Sequence, residues 1–463
     1  MGRRRQTRPR KIQGVPGSRA LPVIRPAVAA VDVGSQEHFV CAPGAGAGQT
    51  EVRVFGAVTA QLEAMADWLA SRGVESVALE STGVYWIALY DLLESRGMEV
   101  LLVNARHLRH VSGRKSDMAD CQWLQVLHAC GLVRGSHRPG EEIGAIRTVR
   151  RHRENLIAQR TTVVQWMQKA LDQMNVRVHR AVSDLTGKTG MEIVRAIVAG
   201  ERDALRLAQR RDLRCERSVE EIAEHLRGTW REEHLFTLGL ALREYDHLQE
   251  CIAACDAQIG RQVRALLPPQ RRDAKAPAHL KPAKAKALRR HGDEPLREAL
   301  WRLTGVDLTR IDAICPATAL TFVTEVGLDL SVFPDENHFI SWLRLAPFQA
   351  TSGGRPLRGK KPPKGATYVA NALRNAASSL RHARCALGAA FRRTAARHGP
   401  GVATFAMART LAQRLYRMLR YGHDYLDIGV AAYEERFQRR RLLNIQTRAR
   451  EMGYDLVPIP VAG

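Results

Sequence analysis

Between residues 27 and 133, short apolar runs rich in β-branched residues alternate with helical stretches, and that order narrows the possible folds more than any other feature of the chain. AVAAVDVG, HFVCAP and EVRVFGA are strand-type runs separated by Gly-containing breaks, the pattern of a three-strand meander. A helical stretch follows from Ala60 to Ser71, then the strand SVALE, a helix from about Val84 to Ser95, and the strand MEVLLVN. A last helix is expected from Asp117 to about Ala129, with Ser116 placed to cap it. The order β-β-β-α-β-α-β-α predicts an α/β domain built on a mixed sheet.

Beyond this domain the period changes to that of helices. Residues 143–180 and 235–266 read as two long helices. In the second, Leu238, Leu242, Tyr245, Ile252, Ile259, Val263 and Leu266 recur at helical spacing, with Gln249 and Asp256 as breaks. In the first, Ile146, Val149, Leu156, Val163, Met167 and Met174 fit the seam, and Arg153 and Arg160 interrupt it. Such a pair suits a coiled-coil hairpin or an oligomer contact, and equally two helices packed inside one bundle. Residues 268–292 are rich in Pro, Ala and Lys/Arg and read as a basic linker; from Pro295 to about Arg441 a compact, mainly helical domain is expected. A chain of 463 residues exceeds one core. The expected division is a disordered basic arm at 1–26, an α/β domain at 27–135, a coiled-coil or helical region at 140–267, the linker at 268–294, an all-α C-terminal domain at 295–441 and a tail at 442–463.

Charge limits the partners. Lys+Arg 71 against Asp+Glu 47 leaves a formal +24, a field that points to a polyanion, most simply nucleic acid. The arm at 1–26 alone carries eight Arg/Lys, four Pro and no acid, which suits phosphate contact or an unstructured leader. No apolar run approaches the roughly 18–20 residues of a membrane span, and no apolar stretch follows the basic N-terminus as in a secretory signal. A cytoplasmic, nucleoid-associated protein is the expectation. The 8 Cys are scattered without a CxxC pair, so reduced thiols and no structural zinc are expected; Cys251 and Cys255 suit half-buried thiols on one helix face.

Four acids of the first domain stand where chemistry would want them. Asp32 lies on the first strand (VDVGS), Glu80 closes the fourth (LESTGVYW), and Asp117 and Asp120 lie three apart in GRKSDMADCQWL, on one helix face. Strand ends and a helix face can converge at one sheet edge. Grouped carboxylates repel unless a cation neutralises them, and hard Mg²⁺ suits oxygen ligands and phosphodiester chemistry. Plainer readings exist: Asp32 before Gly as a turn residue, and Asp117 and Asp120 as helix N-terminal acids. VDVGS also resembles the first phosphate loop of actin-like sugar kinases, but the second acid-Gly loop and the Gly-rich adenosine site such a kinase needs do not appear before the coiled region, and +24 is odd for a small-molecule kinase.

VDVGS, ESTGVYWIALYDLLESRGMEVLLVNARH and GRKSDMADCQWLQVLHACGLVRGS together resemble the DEDD transposases of the insertion-sequence one-hundred-and-ten family, in its eleven-eleven branch. LTGVDLTRIDAI and FPDENHFISWLRLAPFQATSGGRPLRGKK resemble the C-terminal transposase domain of the same family, so the likeness runs from about residue 27 to about 458. It implies a RuvC-like (ribonuclease H-like) N-terminal domain, a coiled-coil middle and a helical C-terminal transposase domain. The family's four acidic positions carry over to Asp32, Glu80, Asp117 and Asp120, as ligands of Mg²⁺, and its nucleophilic serine to Ser352. The resemblance also implies donor and target DNA, a structured guide (the bridge RNA) and a homo-oligomer, dimer or tetramer. One departure is IDAICPATAL, where the family has a small Gly/Ser-containing turn and this chain has Pro316.

Taken alone, Ser352 in T-S-G-G reads as a turn residue. Under the resemblance, Gly353 and Gly354 let a DNA backbone approach the serine, and Arg355, Arg358, Lys360 and Lys361 hold the scissile phosphate and its neighbours. Arg114 and Lys115, just before Asp117, join the expected nucleic-acid contacts. The activity so implied is DNA strand cleavage, exchange and rejoining through a phosphoserine link, without ATP. Its rivals are a RuvC-like nuclease acting by hydrolysis and a nucleic-acid-binding protein with a decayed site. Trp123 and Trp342 fit either a core or a contact role.

Overall fold

The computed structural model describes residues 22–46, 48–80, 83–104, 117–215, 217–275, 294–347, 351–352, 355–356, 367–423 and 428–457, with the backbone alone at 117, 351, 352, 355 and 356. These fall into two compact units, Met1–Arg138 and Pro139–Gly463.

The first unit follows the expected order: β1 (Val28–Val33), β2 (Glu37–Pro43), β3 (Thr50–Gly56), α1 (Thr59–Ser71), β4 (Ser76–Glu80), α2 (Trp86–Ser95), β5 (Glu99–Val103) and α3 (Asp117–Ala129). The strands form a five-stranded sheet in the order β3-β2-β1-β4-β5. The β1–β2 and β2–β3 pairs are antiparallel, whereas β4 runs parallel to both β1 and β5. Strand β1 is central and covered on both sides, which is why Val28 to Val31 form an unbroken apolar run with no polar alternation. One face carries Val31, Val33, Val77, Leu79 and Leu102 against Met65 and Leu69 of α1 and Leu89 and Leu93 of α2. Each large side chain buried there contributes about 1.5–3 kcal/mol. On the other face the small Ala30 and Ala78 leave room for α3, whose Leu124 closes a second core with Val103. This mixed α/β architecture is consistent with a ribonuclease H-like domain. The end of the basic arm is tied down: the Ile24 and Arg25 amides both donate to the Ala129 carbonyl at 2.9 Å, and the Arg25 guanidinium pairs with Glu99.

Apart from one short strand pair, the second unit is helical among the described residues: α4 (Glu141–Gln173), α5 (Val178–Ala181), α6 (Lys188–Val198), α7 (Ala204–Ala208), α8 (Val219–Leu226), α9 (Glu232–Ala265), α10 (Glu294–Thr304), α11 (Pro316–Val326), α12 (Glu336–Trp342), β6 (Thr351–Ser352), β7 (Arg355–Pro356), α13 (Tyr368–Ser379), α14 (Ala386–His398), α15 (Pro400–Tyr421) and α16 (Gly429–Glu451). The polar breaks in the two long helices meet each other. Arg153 makes a forked bond to Asp256 at 2.6 and 3.1 Å, and Arg160 bonds Gln249 one heptad on. One number rises as the other falls, so α4 and α9 pair antiparallel within the chain. Helix α4 ends earlier than the expected 180 because Asn175 turns the backbone left-handed at φ 56.

Two cores divide the second unit. The inner halves of α4 and α9 pack with α5–α8. Their outer ends, through Ile143, Ile146, Ile259 and Val263, belong instead to the core of the C-terminal helices, as does Leu267 just beyond α9. The boundary between 267 and 295 therefore does not separate cores, and the tail expected from 442 is helical as far as Glu451. Trp342 packs in an aromatic cluster with Phe333 and Phe339, which identifies it as a core residue. Pro316 is the first residue of α11, where its missing N–H costs nothing, and the reversal before it falls on Ala313 with φ 70. Cys251 and Cys255 are half-buried, and no cysteine among the described residues is in a disulfide.

Candidate active site

Asp32 and Glu80 are brought together by strand register. β1 and β4 pair in parallel with Val28 opposite Ser76 and Val31 opposite Leu79, so the next residue on each strand, Asp32 and Glu80, stands beside the other at the carboxyl ends. Both are half-buried. The two-residue period of a strand puts Asp32 on the face of Ala30, and Glu80 on that of Ala78, which is the face α3 covers.

Helix α3 runs back along β1. Its Gln125 Nε2 donates to the Val28 carbonyl at 3.3 Å, at the start of the strand. Cys121, one turn earlier, is fully buried, and its thiol is pushed up by burial, then by Cys41, and then by the Asp32 and Asp120 charges among others. Cys41 faces it from β2 and is itself pushed up to about 12 by burial. The amino end of α3 therefore lies over the carboxyl end of β1, where its dipole favours anions. Asp120 sits there, exposed, one turn into the helix, and Asp117 is the helix's first residue. At the other end of α3, the buried His128 Nε2 lies 2.9 Å from the Ser76 hydroxyl of β4, which ties the helix to the strand that ends in Glu80. Burial, and then Arg25, lowers the His128 pKa to about 4, against a smaller opposing pull from Glu99, so the ring is neutral at pH 7.

Oxygen donors side by side on adjacent strands, next to a helix amino end, suit a hard divalent cation, and Mg²⁺ needs only one or two carboxylates when phosphates complete its shell. Asp32 and Glu80 meet that requirement. Among the described residues no group of three or more His, Cys, Asp and Glu side chains is gathered closely enough to hold a metal ion.

Ser352 is paired with Arg355 in the short antiparallel ladder of β6 and β7, with Thr351 opposite Pro356. It thus ends a strand and, with two residues between it and its partner Arg355, stands at the start of the turn that the local reading expects. Gly353, Gly354, Arg358, Lys360, Lys361, Arg114 and Lys115 lie outside the described residues, as does Ser116. The chain re-enters at α13, capped by Thr367, whose hydroxyl accepts from the Ala370 amide at 3.0 Å. Here the sequence reading missed a cluster. The Tyr368 ring lies 4.5 Å from the Arg151 guanidinium and 5.6 Å from that of Arg150. Both arginines hold the buried Glu325 of α11, Arg151 through a fork at 2.8 and 2.6 Å. The available signal was Glu325 itself, an acid inside the apolar run ALTFVTEVG.

Comparison with known proteins finds two family models, the first of which runs past Arg138 and through α4. Residues 29–176 match the DEDD family model of IS110 type, described as Transposase. Residues 306–392 match a second, described as Transposase IS116/IS110/IS902 family. No curated protein matches the chain. No helix among the described residues is long and apolar enough to cross a membrane. The two matched segments, met in order and together spanning about half of the chain, place it in the IS110 family of transposases, enzymes that recombine DNA.

Proposed function

We propose that this transposase, of the eleven-eleven branch, cuts and rejoins DNA through a Mg²⁺-dependent site formed by Asp32, Glu80, Asp117 and Asp120, with Ser352 as nucleophile and a bridge RNA as guide. The observation that carries the reading is the parallel register that sets Asp32 beside Glu80 under the amino end of α3. When bound, the cation supplies Lewis-acid charge for a phosphodiester. The four carboxylates orient it and the strand to be cut. The Ser352 hydroxyl attacks phosphorus: an Oγ–P bond forms, the bond to the leaving deoxyribose oxygen breaks, and the serine proton passes to a carboxylate or to solvent while the leaving oxygen ends as a hydroxyl. Attack by an exchanged hydroxyl end reverses these steps, so the strand is resealed and the serine released with no ATP. Gly353 and Gly354 allow close approach, and Arg355, Arg358, Lys360, Lys361, Arg114 and Lys115 hold neighbouring phosphates. A homo-oligomer on donor and target DNA completes the reading.

The test is incubation with end-labelled donor DNA, the RNA transcribed from the element's flank, and Mg²⁺, followed by a denaturing gel. The wild type is expected to shift label to protein mass, and Ser352→Ala, Asp120→Ala or omission of the RNA to abolish the shift. Cutting that survives Ser352→Ala without any adduct would replace this reading with a hydrolytic nuclease.

A further inference from the structure

We infer that the groove between α14 and α16 binds the phosphate backbone of a nucleic acid, through residues other than the basic run that follows Ser352 in the sequence. The two helices face each other with stripes at matching helical spacing. Ala389, Arg392, Arg393, Ala396 and Arg397 come from α14, and Glu434, Phe437, Gln438 and Arg441 from α16. They line a cavity of about 630 Å³. Alanine at 389 and 396 keeps it open, and four arginines against one glutamate make it strongly cationic.

The arginines are arranged for an anion. Arg393 is fixed: its guanidinium lies 3.4 Å from the Phe437 ring centroid and pairs with Glu434. Its Nη1 is buried without a hydrogen-bond partner among the described residues. Arg392 is held by the Ala383 carbonyl at 2.9 Å. Arg397 and Arg441 stand exposed on the rim, and neither forms an ion pair or hydrogen bond among the described residues. The exposed Arg436, Arg439 and Arg440 lie on the opposite face of α16 and take no part in the groove. Arg393 covers one face of the Phe437 ring and so withholds it from a base. Recognition here is of phosphate oxygens and independent of sequence. A polyanion, and not a small anion, fits an open groove of this length that carries cations on both walls.

The groove shares no residue with the serine chemistry, and its test needs no cleavage. Full-length protein is titrated, in EDTA, with a short duplex DNA and with a single-stranded RNA, neither carrying element sequence, over a range of salt. Arg397→Ala/Arg441→Ala removes two rim charges that form no ion pair or hydrogen bond among the described residues, and unchanged circular dichroism and melting show that it folds. Losing two phosphate contacts should lower affinity by about tenfold to sixtyfold near about 0.1 M salt and reduce the slope of log K against log salt by about 2. Loss with DNA alone, RNA alone or both supports the site and identifies which backbone it takes. Equal affinity and slope in parent and variant on both probes would overturn it. Failure of the serine reading would leave this result untouched, because binding is measured where cutting cannot occur.

Discussion

Replacing His128 with Gln removes one titrating group from the contact that fastens α3, the helix bearing Asp117 and Asp120, to β4, the strand ending in Glu80. In the folded chain His128 is held to a pKa of about 4, by burial first and Arg25 next, against an ordinary value of about 6.5. Between these values the unfolded chain binds a proton that the folded chain does not. The His128 contribution is therefore complete above about pH 6.5 and lost as the pH falls towards 4. By linkage the loss is about 2 kcal/mol at pH 5 and approaches about 3 kcal/mol below pH 4. Glutamine keeps a polar group near the Ser76 hydroxyl but does not titrate. Hydrogen exchange read by mass spectrometry on peptides spanning 76–80 and 117–130, corrected for intrinsic rates, measures the local opening free energy. From pH 8 to pH 5, protection in the wild type should fall by about thirtyfold more than in His128→Gln. His38, also lowered by burial, shifts both proteins alike and cancels in the comparison. Parallel pH profiles, or a steeper one in the variant, would refute the assignment of a neutral, proton-excluding His128.

Ala313 holds a left-handed φ of 70, which costs a non-glycine residue about 1–2 kcal/mol, while glycine adds about 0.5–1 kcal/mol of chain entropy. Ala313→Gly should therefore stabilise the second unit by about 0.5–1 kcal/mol, seen as a higher denaturant midpoint, and a lower midpoint would contradict the strain. Arg150→Met removes a fully buried partner of Glu325 and should cost about 3 kcal/mol, whereas Arg151→Met, at a half-exposed position, should cost about 1 kcal/mol or less. Equal losses in the two variants would show that burial does not set the difference.

The sheet domain was legible because each of its elements carries its own period. The apolar runs of β1 and β4, the helical spacing of α1 and the acids at 32, 80, 117 and 120 are all local signals. The long helices were legible too, down to the polar breaks. What the local pattern lacked was the pairing of those breaks across chains of residues about 90 to 100 apart, Arg160 with Gln249 and Arg153 with Asp256. Helices α5, α7 and α8, at 4, 5 and 8 residues, complete too few turns for a helical period to stand out. The β6–β7 pair went unread because its two-residue strands carry no alternation, although T-S-G-G-R-P contains the two-glycine spacing of a tight hairpin. Register set Asp32 beside Glu80, and register is a property of two strands together; sequence alone supplied the residues but not their adjacency.

The central claim is that Ser352, served by the carboxylates at the ends of β1 and β4, becomes joined to DNA. Its most direct test is to trap the adduct formed with donor DNA, RNA and Mg²⁺, digest protein and DNA, and locate the nucleotide-bearing peptide by mass spectrometry. The account predicts a phosphodiester on Ser352 in the wild type and none in Glu80→Gln. A nucleotide on any other residue, or DNA cut with no modified peptide, would contradict it.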